Sequence, residues 1–486
     1  MKKGMKAVLI ALVAIFIFLA GYRLIKTDLF VSSSSWAKDY DIDYSILAAN
    51  LDEGYGVVQT PDKGYIVTGV TSGDQNGTFL VMRLTPKGSV IWAKQFGKSE
   101  GEPTCLIKTN DNCYLIAGET YSRKSDRNLF LVKIDLDGNM KWSKSYGRIK
   151  TEWFDFAGLD ESKLTSDLLL GSISQTIDGG FVLSGGFWWY GGPQDYMGSL
   201  DVFYPIIIKI DKDGEIEWVK AFEGNSVDLF DYTSQTVDSG FLTVKMMLNY
   251  HDLFVMKLSP NGKVEWSKIL EGGIASSCAP TEDGGAIVCG SYEKQGLKNS
   301  SASLLIRINK DGEVLWAKTY AHNTKIGFIK SIIKTADGNF VILGTTSKDR
   351  LFVLKADEKG SIKWAKTFGS GCESVNYHSG LSSTADGGFI VTGGTECFSN
   401  FSLLNFDVGN SDIIVAKFDK DGNIGGKCGD SFGPYLQECS PDISLVKLDE
   451  KILRLVSSDA TFETIPFSPE VIKIRNVHVR TICKGR

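Results

Sequence analysis

Short apolar runs, each closed by a polar turn, recur along almost the whole chain. In the first such group the runs are GVVQT, YIVTGVT, TFLVMRLT and VIWAKQF. Runs of this length, rich in β-branched and aromatic residues and bounded by Gly, Asp, Asn or Pro, predict strands rather than helices. A turn motif, Thr-x-Asp followed three positions on by an aromatic or Ala, opens at Thr60, Thr109, Thr176, Thr236, Thr281, Thr335 and Thr384. After each copy come an apolar run such as FVLSGG, a loop, an alternating run such as LFLVKI, and a Trp-containing run. Each unit therefore reads as four antiparallel strands, with a tight hairpin at the Asp-Gly position. Four-stranded units repeating at roughly 50 residues predict an all-β propeller.

The turn DLDG at Asp135 has the opening of a calcium loop, and its counterparts test that reading. They are TPKG at Thr85, DKDG at Asp211, SPNG at Ser259, NKDG at Asn309, DEKG at Asp357 and DKDG at Asp419. A side-chain acceptor first, Pro tolerated second and Gly fourth is the schedule of a type I turn leaving through a left-handed residue. Calcium wants six to eight oxygens, which Thr-Pro-Lys-Gly does not supply. The turn reading is preferred, and no metal site is assigned.

Trp follows that Gly by four residues at Trp92, Trp142, Trp218, Trp266, Trp316 and Trp364. One Trp at a fixed strand position in each unit predicts packing between neighbouring units. After the seventh unit, Gly426 stands where Trp is due, while Trp36 in SSSWAKDY precedes the first unit. The sequence thus predicts seven blades over 36–424, with the N-terminal strand completing the last blade and removing exposed edges. Eight blades remain the alternative if C-terminal strands join the ring. Residues 425–486 leave the repeat but alternate apolar and polar positions, which predicts a small β appendage.

Ahead of the repeat, Lys2, Lys3 and Lys6 precede an apolar run from Ala7 to Ala20. This predicts one N-terminal hydrophobic helix within 1–26, either a signal anchor or a cleaved signal peptide, with 27–35 as linker. The remainder would lie outside the cytoplasm, on a cell membrane if anchored and secreted if cleaved. A net charge of −5 argues against a nucleic-acid partner. Sequons at Asn76, Asn299 and Asn400 would accept glycan where the host has the machinery.

The nine cysteines all lie beyond the apolar segment, where disulfides are permitted. Their positions in the repeat suggest pairing Cys278 with Cys289, Cys372 with Cys397, and Cys428 with Cys439. Cys105, Cys113 and Cys483 are then left over. No C-x-x-C is present, so zinc is not expected.

The unit Asp135-x-x-Gly138-x-x-x-Trp142, ending at Gly147, resembles the repeat of quinoprotein-like (PQQ-type) propellers. The larger Thr-x-Asp-Gly-Gly…Trp unit looks more like the repeats of exported bacterial and archaeal propeller proteins, most of them without an assigned activity. Alcohol-oxidising members of the first group carry a quinone, a calcium ion, a carboxylate base and often a disulfide of adjacent cysteines. This chain has no Cys-Cys pair and no position to which that ligand set can be assigned. Other relatives are assembly scaffolds without a cofactor, so the resemblance implies a cofactor-free non-enzyme over 36–424.

Two insertions break the repeat on one face of the third unit, one from Arg148 and one from Phe187. They bring together Trp153, Phe154, Phe156, Trp188, Trp189, Tyr190, Tyr196, Phe203 and Tyr204, with Asp155, Asp195 and Asp201 among them. Phe230 and Tyr232 lie in a neighbouring insertion. Aromatic loops studded with acids on a rigid scaffold fit a glycan or an extended peptide. The competing reading is a satellite core beneath the insertions. Catalytic patterns are sparse. The four histidines form no metal pair, no G-x-S-x-G elbow occurs, and His378 is a lone loop residue. The expected function is an extracytoplasmic, membrane-held, non-catalytic binding or scaffold module for a cell-surface glycan or protein. A quinone-dependent or hydrolytic enzyme using the channel is the rival.

Overall fold

The computed structural model describes residues 35–41, 52–71, 78–96, 101–120, 127–151, 165–190, 202–222, 232–246, 252–271, 273–293, 301–322, 326–346, 351–368, 373–374, 380–395, 412–424, 436–439, 445–446, 457–465, 471–474 and 478–481. They form a seven-bladed β-propeller, and no helix occurs among them. Blade 1 is Asp52–Gln59, Tyr65–Thr71, Thr78–Leu84 and Val90–Phe96, from the channel outward. Blades 2 to 6 repeat that order. In blade 7 the outermost of the four is Trp36–Asp41, paired antiparallel to Asp412–Phe418. The N-terminal strand therefore closes the ring, as its orphan Trp predicts. The N-terminal apolar segment lies outside the described residues, and no described helix is long and apolar enough to cross a membrane.

Each blade is a sheet with a neighbour on both faces, so its second strand is mostly apolar or small; Tyr65–Thr71 is buried at every position. The core consists of seven apolar layers, one in each interface between blades. Trp36, Tyr40 and Val415 of blade 7 meet Tyr65, Val67 and Met82 of blade 1 in the layer that closes the ring. Around the channel, each innermost strand lies beside the next, through to Leu381–Ser383 against Asp52–Gln59.

The Trp and the turn glycine turn out to be two halves of one contact. The fourth-position Gly has positive φ in all seven turns, from Gly88 at 74° to Gly422 at 71°. Each lies under the Trp ring of the preceding blade. A Cβ added at Gly88 would come within 2.7 Å of Trp36, and one at Gly422 within 2.6 Å of Trp364. Hydrogen bonds run the same way. Trp36 Nε1 donates to Pro86 O at 2.9 Å and Tyr40 OH to Gly88 O at 2.7 Å. Tyr146 and Tyr320 repeat the second bond to Gly214 and Gly360. A Lys two positions after each Trp extends the clasp; Lys94 Nζ reaches Asp137 O at 2.6 Å while lying over Trp92.

The Thr-x-Asp turns hold a second repeated device. The Asp carboxylate accepts from the Thr hydroxyl and from a buried Lys or Arg on the third strand. The seven ion pairs run from Lys257–Asp238 at 2.6 Å to Lys417–Asp386 at 2.9 Å. Lys257 is 1% exposed, whereas Asp238 is half exposed. Partial burial pushes the Asp238 carboxyl up, but bonds from Lys257, Thr236 and the Gly240 N–H outweigh it and hold it at about 2.

One expectation from the sequence is corrected. Cys278 and Cys289 are free and buried. The inner strand of blade 5 is irregular between Ala275 and Ser277, so Cys289 faces Ser277 and Cys278 faces Val288. That offset of one residue sends the thiols to opposite faces of the sheet. Cys278 packs with blade 4 and Cys289 with blade 6. Burial pushes the Cys278 thiol up to about 12. Cys372, Cys397 and Cys428 lie outside the described residues.

The described strands of the C-terminal segment build no eighth blade, the alternative that the sequence left open. They run back around the rim as fifth strands. Leu436–Cys439 pairs with blade 5, Leu445–Val446 with blade 4, Ser457–Ile465 with blades 3 and 2, Val471–Ile474 with blade 1, and His478–Thr481 with Trp36–Asp41 of blade 7.

Two substitutions separate the parts of the clasp. Gly179 has φ of 85° with nothing near its Cβ position, whereas Gly88 has Trp36 above it. Gly179→Ala is expected to cost about 1–2 kcal/mol from backbone conformation alone, and Gly88→Ala clearly more in the same chemical denaturation series. Asp238→Asn is expected to lose about 1–3 kcal/mol at pH 7, discounted because half the carboxylate is solvated. Its lowered carboxyl stabilises the fold above the unfolded value of about 4 and loses that effect as pH falls through about 2. The gap between wild type and variant therefore narrows toward pH 2.

Candidate functional site

The two faces of the disc differ in kind. One carries the short Thr-x-Asp and type I turns with their clasps, all of nearly one length. The other carries every long connection. On that second face the strands of blades 2 and 3 outgrow the repeat. Met140–Thr151, Thr165–Gln175, Phe181–Tyr190 and Val202–Ile210 are 12, 11, 10 and 9 residues long. Their counterparts in blade 1 are 7, 8, 7 and 7. Three extra residues in a strand add about 10 Å, so these strands extend on this face as a lip.

Register brings part of the predicted aromatic set to this lip. Trp188 is opposite Asp167 on one side and Phe203 on the other, Trp189 opposite Ser166 and Val202, and Tyr190 opposite Thr165. Phe187 is buried and stacks on Tyr204 at 4.9 Å between ring centres. These two belong to the apolar layer between blades 2 and 3. Trp153, Phe154, Phe156, Tyr196, Asp155, Asp195 and Asp201 lie outside the described residues, as do Phe230, His378 and the sequon residues Asn76, Asn299 and Asn400. Tyr232 is on the inner strand of blade 4, packed against the layer toward blade 5.

Beneath the lip lies a charged seam that the repeat analysis does not single out. Glu119 is the penultimate residue of the second strand of blade 2, Tyr114–Thr120, and its Oε1 accepts from Leu170 N at 2.7 Å, across the blade interface. Arg127 immediately precedes the next strand, Asn128–Ile134. Its side chain lies 3.8 Å from Glu119 and 3.5 Å from Asp167, and its amide donates to Asp167 Oδ1 at 3.0 Å. Leu168 N returns a bond to Arg127 O at 3.1 Å. Burial raises the Glu119 carboxyl to about 7, against the lowering influence of the Leu170 N–H and Arg127; Glu102 and Asp167 push it further up. The signal in the sequence is the Glu itself. Corresponding positions in the other six blades hold Val70, Gly186, Met246, Ser291, Thr345 and Gly394. No group of metal-ligating side chains occurs among the described residues.

No protein-family model and no curated protein sequence matches the chain. Solved structures do share its path. A puromycin hydrolase is 11% identical with a TM-score of 0.47 over 81% of this chain, which spans only 57% of the hydrolase. A polysaccharide lyase is 9% identical with a TM-score of 0.43, covering 81% of this chain and 94% of its own. A leech intramolecular trans-sialidase is 8% identical with a TM-score of 0.42, covering 79% and 94%. At these values none of them bears on what this chain binds.

Glu119 supplies a pH test of the seam. With its carboxyl raised to about 7 from an ordinary 4.5, the protonated form is the one the fold favours. Its contribution is complete below the unfolded value and is lost as pH rises through 7. Glu119→Gln is therefore expected to match wild type near pH 5 and to be more stable at pH 8 by roughly 2 kcal/mol. Equal stability at both pH values in denaturant titrations would mean that Glu119 is ionised at no cost.

Proposed function

We propose that this protein is a non-catalytic recognition module held on the outer side of a membrane by its N-terminal apolar segment, and that it takes a glycan or protein ligand at the lip of blades 2 and 3. The observation that carries this reading is the lip. Four successive strands, 12, 11, 10 and 9 residues long, exceed their blade 1 counterparts of 7, 8, 7 and 7 on the same face. They bear Trp188, Trp189 and Tyr190 in register with Asp167, Ser166 and Thr165. Aromatic side chains with carboxylates and hydroxyls beside them suit sugar rings, with apolar faces and hydroxyl edges, and also extended peptides. Loops on a rigid scaffold are where propellers and other repeat folds accept such ligands.

A hydrolytic reading draws on one observation. Glu119 holds a carboxyl near neutrality, where a general acid is effective. Against it stand the Leu170 N–H and Arg127, which already occupy that carboxyl. Recognition is the better supported of the two.

The test is affinity of the full-length protein for a panel of soluble polysaccharides and cell-surface proteins, beside Trp188→Ala/Trp189→Ala. Aromatic platforms are worth about 1–3 kcal/mol each, so at least a tenfold loss of affinity is expected at unchanged melting temperature. Equal binding by wild type and variant would remove the lip as the site. Turnover of a polysaccharide that disappears in Glu119→Gln would favour the hydrolytic reading.

A further inference from the structure

Because the blades repeat, one backbone amide can be followed from joint to joint. It belongs to the inner-strand residue that pairs with the fifth residue of the second strand, as Leu170 pairs with Gly185 and Ile329 with Gly344. In blade 6 the Ile329 amide crosses to blade 5 and donates to the Ser291 hydroxyl at 3.4 Å. In blade 3 the Leu170 amide crosses to blade 2 and donates to Glu119 Oε1 at 2.7 Å. Ser291 and Glu119 hold the same place, the sixth in their second strands. In blade 2 the donor's place is taken by Pro103, which has no amide hydrogen, and the acceptor's place in blade 1 by Val70. The joint between blades 2 and 3 thus has a titratable acceptor where its counterparts have a hydroxyl or none.

The groups around Glu119 decide how that acceptor responds to pH. Among the described residues, Glu102 is directly opposite it on the inner strand of blade 2, an unfavourable pairing when both are ionised. Cys105 of the same strand is pushed up to about 12, chiefly by burial, and stays a neutral thiol. Arg127 is 3.8 Å from Glu119 Oε2, beyond hydrogen-bond distance. Asp167 of blade 3 draws the same guanidinium at 3.5 Å and accepts from the Arg127 amide. A protonated Glu119 keeps the Leu170 bond, since its carbonyl oxygen still accepts, and takes one negative charge out of the joint. An ionised Glu119 has to be desolvated beside Glu102 and Asp167. Opening the joint returns it to water.

We propose that the joint between blades 2 and 3 is a pH-operated latch, closed while Glu119 holds a proton and opened more readily as it ionises. Opening frees the start of Thr165–Gln175 from blade 2 by breaking the bonds of the Leu168 and Leu170 amides to Arg127 and Glu119. The direction follows from the raised carboxyl, about 7 in the closed joint against an ordinary 4.5. Opening is promoted progressively as pH rises between those two values and levels off above the higher one. The released strand supplies Thr165, Ser166 and Asp167 opposite Tyr190, Trp189 and Trp188, so recognition at the lip would weaken over the same range. The latch itself needs no ligand and stands apart from that reading.

The test is amide hydrogen exchange of the full-length protein from pH 5 to pH 8, with protection corrected for the chemical exchange rate. Leu168 and Leu170 are expected to lose about tenfold to a hundredfold of their protection, most of it below about pH 7. Ile329, bonded to a hydroxyl at the same place in the repeat, is expected to keep its protection and serves as the internal reference. Glu119→Gln, which can still accept from Leu170, should hold the pH 5 protection throughout. Three results would overturn the latch. Constant protection at Leu170 means that the joint does not respond to Glu119. Parallel loss at Leu170 and Ile329 means that the whole ring loosens rather than one joint. A pH dependence that survives in Glu119→Gln means that another group titrates. The first two are read from the wild type alone, so the outcome does not hang on the variant folding.

Discussion

A tryptophan ring lying on a glycine of the next blade is the contact on which the rest of this molecule depends. A single four-stranded sheet has two apolar faces and no means of burying either alone. The ring solves this by stacking, but apolar layers by themselves would let blades slide. The glycine fixes the register. Its positive φ sets the turn, its missing Cβ admits the ring, and its carbonyl receives a tyrosine hydroxyl in three of the seven interfaces. With both sides of the contact repeated seven times, the turn face has little freedom to vary. Variation in sequence and length is therefore displaced to the opposite face, where the lip stands.

Closure is the weak point of any ring, and here it is reinforced twice. Trp36–Asp41 fills the last place in blade 7 and brings the seventh Trp to Gly88. The same strand is then flanked on its outer side by His478–Thr481. Both neighbours of the N-terminal strand thus come from the C-terminal part of the chain. Releasing it would require breaking two ladders and an apolar layer together. The fifth strands extend this logic around the rim, since each covers an edge that would otherwise be open to association.

How far the sequence discloses this depends on whether a feature repeats. Blade number, strand order, turn type and N-terminal closure are legible because seven copies make each residue's role comparable with six others. Calcium at Asp135 loses its appeal once Thr85 to Gly88 occupies the same place, and Gly138 at positive φ bears out the turn. Single-copy features read less well. The pairing of Cys278 with Cys289 rests on counting outward from a turn, and an irregularity at Ala275–Ser277 shifts the count by one, which in a strand reverses the face. The C-terminal strands alternate properly, yet alternation says nothing about which edge a strand will join. The buried Lys and Arg partners of the turn aspartates repeat as faithfully as the tryptophans. They are missed because a lysine in an apolar run reads as an interruption rather than as half of a pair. Glu119 is legible only as a departure from the small or apolar residues at the same place elsewhere.

The position of the lip follows from how blades 2 and 3 are joined. Near the channel, Glu119 reaches Leu170 and Arg127 reaches Asp167, tying the second strand of one blade to the first of the next. At the rim, Ser457–Ile465 pairs with the outer strands of both blades and makes them one sheet of nine strands. No other interface among the described residues is tied by a shared strand. A recognition surface gains affinity when its parts are held in place before the ligand arrives. In a ring of otherwise equivalent joints, the joint fixed at both radii is the one on which strands can be lengthened into solvent and still present their residues in a set register. Among the described residues, the charged seam and the lengthened strands therefore belong to the same joint.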